Sequence, residues 1–332
     1  MSTVDDDPVA APDWVGRAAN QSRLAFGLAV TELAARDSSV VAVSADTLDL
    51  IGLRDLSDRF PERLIEVGIA EQNAMGIASG LATTGLRPFV CGYAPFITAR
   101  SLEQLRNDVA YANQRVVIGA AASGISLGVA GGTHHALEDL ALMRALPNMT
   151  VVVPADAHQA WHATLATEHL DGPVYIRLGG RVEEPAVTPV VASIRIGQAD
   201  VLRDGSDVTV IACGALVAPA LEAAADLSAQ GIDARVVNMH TLKPLDRDPI
   251  LAAAAETGGI VTAEEHHLTG GLGGAVAELL AREHPSRMRM VGMPDEFAVV
   301  GPTDRVRDRY GMSGRGIRAA VLDLLGRSEP LA

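Results

Sequence analysis

The segment VGIAEQNAMGIASGLA (residues 67–82) sets a single carboxylate, Glu71, at the edge of a helical face made of Ala70, Ala74, Ile77, Ala78 and Leu81. These positions follow the i, i+4, i+7, i+8, i+11 spacing of one helix face. So small-sided a face admits close approach by another segment, and a carboxylate there either turns back to water or is buried for acid–base work. A glutamate at a helix start also gains from the helix dipole, so spacing alone leaves both uses open.

A second stretch with chemical potential is the loop SGISLGVAGGTHHALEDL (123–140). Gly124, Gly128, Gly131 and Gly132 permit positive φ and close backbone approach to a ligand. Thr133 is placed to cap a helix carrying Glu138 and Asp139. The paired His134 and His135 suit proton exchange or hydrogen bonding near neutral pH, although a plain glycine loop with surface histidines reads the same way. The spacing does not suit zinc, because no Cys or further His lies at ligand distance along the chain. Tyr93 and Phe96, in CGYAPFITAR, flank Pro95 in a chain with only five Phe, four Tyr and two Trp. They are either core filler or a platform for a flat ring. GGLGGAVAE (270–278) lacks the strand–turn–helix context of a dinucleotide fingerprint and reads as tight packing at a helix entry. No Walker-type loop and no G-x-S-x-G nucleophile elbow occurs.

Elements that position these residues alternate along the chain. Helical periodicity covers 22–37, 71–84, 97–111, 136–145 and 157–169, and apolar strand-like runs cover 38–46, 87–93, 115–121, 149–155 and 172–178. Such alternation predicts an α/β fold with a parallel sheet covered on both faces. RVEEPAVTPVVASIRIG (181–197) breaks the rhythm, and a smaller α/β domain follows with strands in DVTVIACG, DARVVNMHTLKPL, GGIVTAEEH and MRMVGM. The predicted organisation is a disordered leader over 1–19, a first domain over 20–182, a linker over 183–198 and a second domain over 199–330. Ligands of open α/β sheets sit outside the carboxyl ends of the strands. Asp46, the GISLGVAGGTHH loop and EEHH (264–267) all fall at such ends and form the expected rim.

Of the 332 residues, 48% are hydrophobic and 20% charged, and the net charge is −14. That balance describes a globular chain with real cores and disfavours nucleic acid or an anionic membrane surface as partner. Cys91 and Cys213 lie apart in strand-like runs, which fits a reducing cytoplasm rather than a disulfide. No apolar run approaches the roughly 20 residues that span a bilayer, and MSTVDDDPVAAPDW has no signal-peptide pattern.

Together VSAD (43–46), EVGIAEQNAMGIASGLA, PFVCGYAPF, GGTHHALED and ARVVNMHTLKPLD resemble the C-terminal half of the transketolase family of thiamine diphosphate enzymes. The resemblance runs in order from about Arg23 to the end. It implies a pyrimidine-binding domain followed by the family's C-terminal domain. The family's preceding domain, which holds the diphosphate and Mg²⁺ through a GDG…N signature, has no match, so the resemblance implies the separate subunit of a split enzyme. The partner is then an N-terminal, diphosphate-binding chain, in an α2β2 assembly, with small sugars as substrates.

Carried onto this sequence, the resemblance gives Glu71 the hydrogen bond to N1′ of the aminopyrimidine. A carboxyl in a crowded, water-poor place has its charged form disfavoured and can hold a proton towards the ring. That proton favours the imino tautomer, which removes the thiazolium C2 proton. Tyr93, Phe96, Asp46 and Ile125 match cofactor-binding positions. Arg23, His134 and His135 match substrate positions, with His134 contacting sugar oxygens and assisting proton transfer. No residue of this chain is implied as a metal ligand.

Several positions depart from the family pattern. Ala130-Gly131-Gly132-Thr133-His134 stands where many transketolases have D-G-P-T-H. Ala122 replaces a phosphate-contacting histidine, and Val153 and Leu50 align with a phosphate arginine and a serine. The expectation is a sugar end recognised differently: a non-phosphorylated or modified acceptor, or groups from the partner chain. Two other readings stand beside a two-carbon ketol transferase. One is a 2-oxo acid-decarboxylating enzyme, resembling deoxyxylulose-phosphate synthase or the β chain of a 2-oxo acid dehydrogenase, with which IVTAEEHHLTGGLGG is shared. The other is a scaffold without catalysis.

Overall fold

VVAVS is apolar on both faces of its pleat and therefore belongs inside a sheet covered on both sides. In the computed structural model, which describes residues 12–190 and 194–327, it forms β1 (Val40–Ser44), buried throughout. With β2 (Leu64–Glu66), β3 (Arg87–Tyr93), β4 (Val117–Ala121), β5 (Thr150–Val152) and β6 (Val174–Arg177) it builds a sheet in the order β5-β6-β4-β3-β1-β2. Every neighbouring pair of these strands is parallel.

The helices preceding or joining these strands are α1 (Asp13–Ala18), α2 (Ser22–Arg36), α3 (Arg54–Arg59), α4 (Glu71–Thr83), α5 (Leu102–Gln104), α6 (Asp139–Ala145) and α7 (Ala157–Ala166). Side chains alternate between two cores, as the strand pleat requires. Ala42, Phe89 and Val117 pack with α2 and α7 on one face, while Val43, Val90 and Ile118 pack with α4 and α6 on the other.

A second sheet contains β7 (Asp200–Arg203), β8 (Val208–Ala212), β9 (Ala234–Asn238), β11 (Ile260–His267) and β12 (Met288–Met293), in the order β12-β11-β8-β9-β7. Around it lie α8 (Val217–Ser228), α9 (Asp248–Glu256), α10 (Leu272–Glu283), α11 (Thr303–Arg309) and α12 (Gly314–Leu324). Strand β10 (Thr241–Lys243) leaves this unit and pairs antiparallel with β5 at the edge of the first sheet. The stretch DARVVNMHTLKPL is thus two strands serving two sheets. Nothing in the apolar pattern marks β7, which runs antiparallel to β9.

Other expectations need correction. The disordered leader is not seen over residues 12–19, where α1 stacks Trp14 on Trp161 at 4.4 Å between ring centroids; residues 1–11 lie outside the described residues. The helix expected over 97–111 is wound as π-helix at Phe96–Arg100 and Leu105–Tyr111, around the short α5. The helix after GGTHH starts at Asp139 rather than near 136, and Thr133 does not cap it. The described residues of the 183–198 stretch form neither helix nor strand. They are nonetheless pinned, because Asp156 accepts from the Val187 and Thr188 amides, both at 2.7 Å.

The two units share buried contacts. Arg177 donates to the Glu265 carbonyl and the Ile125 amide to the Glu265 carboxylate, both at 2.9 Å. Among the described residues, no helix is long and apolar enough to cross a membrane.

Candidate active site

The chain leaves β1 for β2 on one side and returns to β3 on the other, so a crevice opens at the carboxyl ends of β1 and β3. This is where open α/β sheets bind ligands. Asp46 follows β1 with a φ of 57°, a strained value for a non-glycine residue. Its amide donates to Glu66 Oε1 at 2.6 Å, and Glu66 also accepts from the Gly68 amide at 3.1 Å. Glu66, which no motif in the sequence singles out, thereby ties the loop after β1 to the loop that leads into α4.

Glu71 is the first residue of α4, and it lies on the buried face with Ala74, Met75, Ala78 and Ser79. It is not at the edge of that face but opens it, and its exposure is only 3%. Its Oε2 accepts a hydrogen bond from Arg100 Nη1 at 2.7 Å. On the opposite side of α4, a Cβ added at Gly76 or Gly80 meets nothing within 4 Å, and Ile69 just before the helix is 76% exposed. The face of α4 turned away from the Glu71 side chain is therefore open to close approach by another surface.

Tyr93 ends β3 and Phe96 opens the π-wound segment. Their rings lie 6.0 Å apart and inclined by 62°. His134 joins them, 5.2 Å from Phe96 and 6.2 Å from Tyr93 between centroids. Its Nδ1 is 3.0 Å from Thr133 Oγ1. The Arg100 guanidinium covers Phe96 at 4.2 Å from the ring centroid. Glu71, Arg100, Phe96, His134 and Tyr93 are therefore one connected group drawn from three separate stretches. Arg100 is absent from the sequence expectations; its only signal is a basic residue four positions after Phe96 in helical register.

Three of the expected site residues are buried rather than exposed at this mouth. Arg23 is 8% exposed, with Nε on the Gly180 carbonyl at 2.8 Å and its other nitrogens on the Leu50 carbonyl and Gln21. Burial lowers its pKa. It braces loops from below rather than facing a substrate. His135 is buried, with neither ring nitrogen partnered among the described residues. Ile125 is fully buried against the second domain, its amide held by Glu265 Oε1 at 2.9 Å.

The EEHH rim is structural too. These residues lie within β11, not beyond it. Glu264 accepts from the Leu272 and Gly273 amides at 2.6 and 2.7 Å, which satisfies the first turn of α10. The close packing read in GGLGG is present, since a Cβ at Gly271 would fall 1.9 Å from Glu264 Oε2.

The departures from the family pattern look different in three dimensions. Val153, Ala122 and Leu50 are all buried, and of the three Leu50 borders a cavity of about 300 Å³ beside Tyr93. That cavity is also lined by Asp46, Asp49, Arg54 and Arg181, among others. Arg54 is held by Asp49 at 2.6 Å, whereas Arg181 is exposed and unpaired among the described residues. Its charge is close enough to add to the depression of the Arg23 pKa. In the sequence Arg181 opens the break after the first domain; a cation just past the strand GPVYIRL is its only signal.

The chain as a whole is similar to known proteins. The model of the transketolase pyrimidine-binding domain matches residues 19–181, and that of the transketolase C-terminal domain matches residues 197–317. One of the subunits of apulose-4-phosphate transketolase, from Phocaeicola vulgatus, is 40% identical, over 91% of this chain and 97% of that one. The 6-deoxy-6-sulfo-D-fructose transketolase subunit SqwH from Clostridium sp. is also 40% identical, over 90% of this chain and 92% of that one. A 1-deoxy-D-xylulose-5-phosphate synthase from Geobacter sulfurreducens is 41% identical, but the chain spans only 47% of its length. Among solved structures, a split gene transketolase described as an inactive β4 tetramer has a TM-score of 0.84 at 42% identity, covering 93% of this chain and 99% of that one. Transketolase from Leishmania mexicana gives 0.77 at 25% identity, over 94% of this chain and 47% of that protein.

Proposed function

Because the chain belongs to the transketolase family and carries its pyrimidine-binding and C-terminal domains, we propose that it is the second subunit of a split, thiamine diphosphate-dependent transketolase. The relatives matched along nearly their whole length are themselves named as subunits. The observation that carries the reading is the buried Glu71 carboxylate adjoining the Tyr93–Phe96–His134 group.

That group fits the flat pyrimidine end of the cofactor. Tyr93 and Phe96 offer ring surface, and Glu71 Oε1 accepts no hydrogen bond among the described residues. No group of three or more His, Cys, Asp or Glu side chains able to hold a metal occurs among the described residues. On the family reading the diphosphate and Mg²⁺ fall to the partner chain, in an α2β2 assembly in the cytoplasm. When bound, thiamine diphosphate supplies the nucleophilic carbon that adds to a ketose carbonyl. Glu71 holds the proton at N1′, Tyr93 and Phe96 fix the ring plane, and His134 orients the sugar and exchanges a proton with its oxygens. Asp46 and Tyr93 border the cavity in which Arg181 meets an anionic end of the sugar.

Of the three expectations for the sugar end, this last assignment favours a modified, anionic acceptor over a non-phosphorylated one or groups from the partner chain. The cation lost from the sequence pattern is replaced by one that only the folded chain brings to the site, and the two relatives named above carry phosphate and sulfo sugars in their names. The identity to 1-deoxy-D-xylulose-5-phosphate synthases favours a second reading, decarboxylation of a 2-oxo acid. Reconstitution with a GDG…N partner chain separates the readings. Ketol transfer without CO₂ release from pyruvate is expected, and CO₂ release would support the synthase reading instead. Glu71→Ala is expected to abolish turnover while assembly survives; unchanged turnover would leave only a scaffold.

A further inference from the structure

The acid of the proposed cofactor site is not alone. Glu71 reaches it from the first turn of α4, and among the described residues its carboxylate has one side-chain partner, Arg100, at 2.7 Å from Oε2. The two residues lie 29 positions apart in sequence and differ in shelter, at 3% exposure for the glutamate side chain and 46% for the arginine.

Arg100 is itself held. It closes the π-wound segment that Phe96 opens. Short π-wound stretches within helices recur at functional sites. Here the winding brings the fifth residue back over the first, with the guanidinium carbon 4.2 Å from the Phe96 centroid. A planar guanidinium stacks on a ring and bonds a carboxylate at the same time, which a lysine ammonium does less well. The contacts thus run from Glu71 through Arg100 to Phe96 and on to His134.

Resting on the reading of Glu71 given above, we propose that Arg100 is a positioning residue. It anchors Oε2 and so leaves Oε1 turned towards N1′ of the aminopyrimidine. A glutamate side chain has three rotatable bonds, and an acid that addresses one ring nitrogen gains from having them fixed before the cofactor arrives. The opposite arrangement is also well defined. If Arg100 were a latch occupying the place of N1′, the cofactor would have to displace it, and removing it would tighten binding.

Calorimetric titration of thiamine diphosphate into the assembly reconstituted with its partner chain distinguishes these outcomes without recourse to turnover. Arg100→Met is expected to raise the cofactor Kd by about tenfold or more, with an unchanged melting temperature for the subunit. Arg100→Lys, retaining the charge without the planar fork, is expected to recover part of the affinity. An unchanged or lower Kd in Arg100→Met would overturn the proposal. Glu71→Ala is run in parallel. If it loses affinity and turnover while Arg100→Met does not, only the role of Arg100 fails; if Glu71→Ala loses neither, the underlying reading fails.

Discussion

His134 stands on the edge of two aromatic rings with Nδ1 engaged by Thr133, which leaves Nε2 to meet a substrate oxygen. Removing a positioned proton-transfer group costs about 10²–10⁴-fold in rate. His134→Ala is therefore expected to lower kcat by that order in steady-state assays of the reconstituted enzyme, with little change in cofactor affinity. Arg181 acts on binding instead. Loss of a charge-assisted hydrogen bond amounts to about 1.5–3 kcal/mol, so Arg181→Ala is expected to raise KM roughly 10–100-fold for an anionic acceptor. KM for its neutral counterpart should stay unchanged, and equal shifts for both would remove Arg181 from the anion's path. At this scale the sequence is informative where residue type and motif coincide, as for Glu71, Tyr93, Phe96 and His134, which the fold gathers at one mouth. It is uninformative where depth decides. His135 and Ile125 share the loop of His134, and the resemblance begins at Arg23, yet all three side chains are buried. Arg100 meets Phe96 through local winding, but its contact with Glu71 and the place of Arg181 at the cavity are tertiary and no local spacing encodes them.

Helices and strands are mostly legible because apolar periodicity reports burial, and the continuous runs of β1 and β4 allow little but a covered parallel sheet. The failures have physical causes. In DARVVNMHTLKPL, β9 and β10 form one apolar run because both are buried, and nothing in the run marks where the chain passes from one sheet to the other. Helical spacing of 97–111 does not distinguish α from π winding, since apolar side chains recur on one face in either. EEHH reads as a loop because four polar residues rarely continue a buried strand; here Arg307, the α10 amides and Ala141 satisfy Glu265, Glu264 and His266 in turn. Packing between elements is equally tight at Gly119 on β4, where an added Cβ would lie 2.4 Å from the Phe26 ring of α2. Overpacking of this kind costs about 1–3 kcal/mol. Gly119→Ala is expected to lower the denaturation midpoint accordingly, whereas Gly76→Ala, on the open side of α4, should not destabilise the subunit.

Across the whole molecule, the two sheets are joined by buried polar groups whose protonation responds to pH. His266 of β11 donates from Nδ1 to the His267 carbonyl and accepts at Nε2 from the Ala141 amide of the first domain. Only the neutral ring satisfies both, and burial pushes its pKa down to about 4. An unfolded histidine titrates near about 6.5. Between those values the unfolded chain takes up a proton that the folded chain refuses, so this contribution is full above pH 6.5 and is lost as pH falls towards 4. Glu264 works in the opposite sense. Burial raises it to about 7, so its contribution is lost as pH rises from about 4.5 to 7. The two partly cancel in the wild type. In His266→Gln, denaturant unfolding is expected to show stability falling as pH rises from about 4.5 to 7, and slopes identical to wild type would contradict the assignment. Two domains and a linker are readable from composition, but not the pinning of that linker or the shared strand edge, which depend on partners far along the chain. The central claim remains the acid at position 71. Its most direct measurement is exchange of the C2 proton of thiamine diphosphate with D₂O in the reconstituted assembly. With cofactor saturating in both proteins, exchange in Glu71→Ala is expected to be at least about 100-fold slower than in wild type; equal rates would contradict the account.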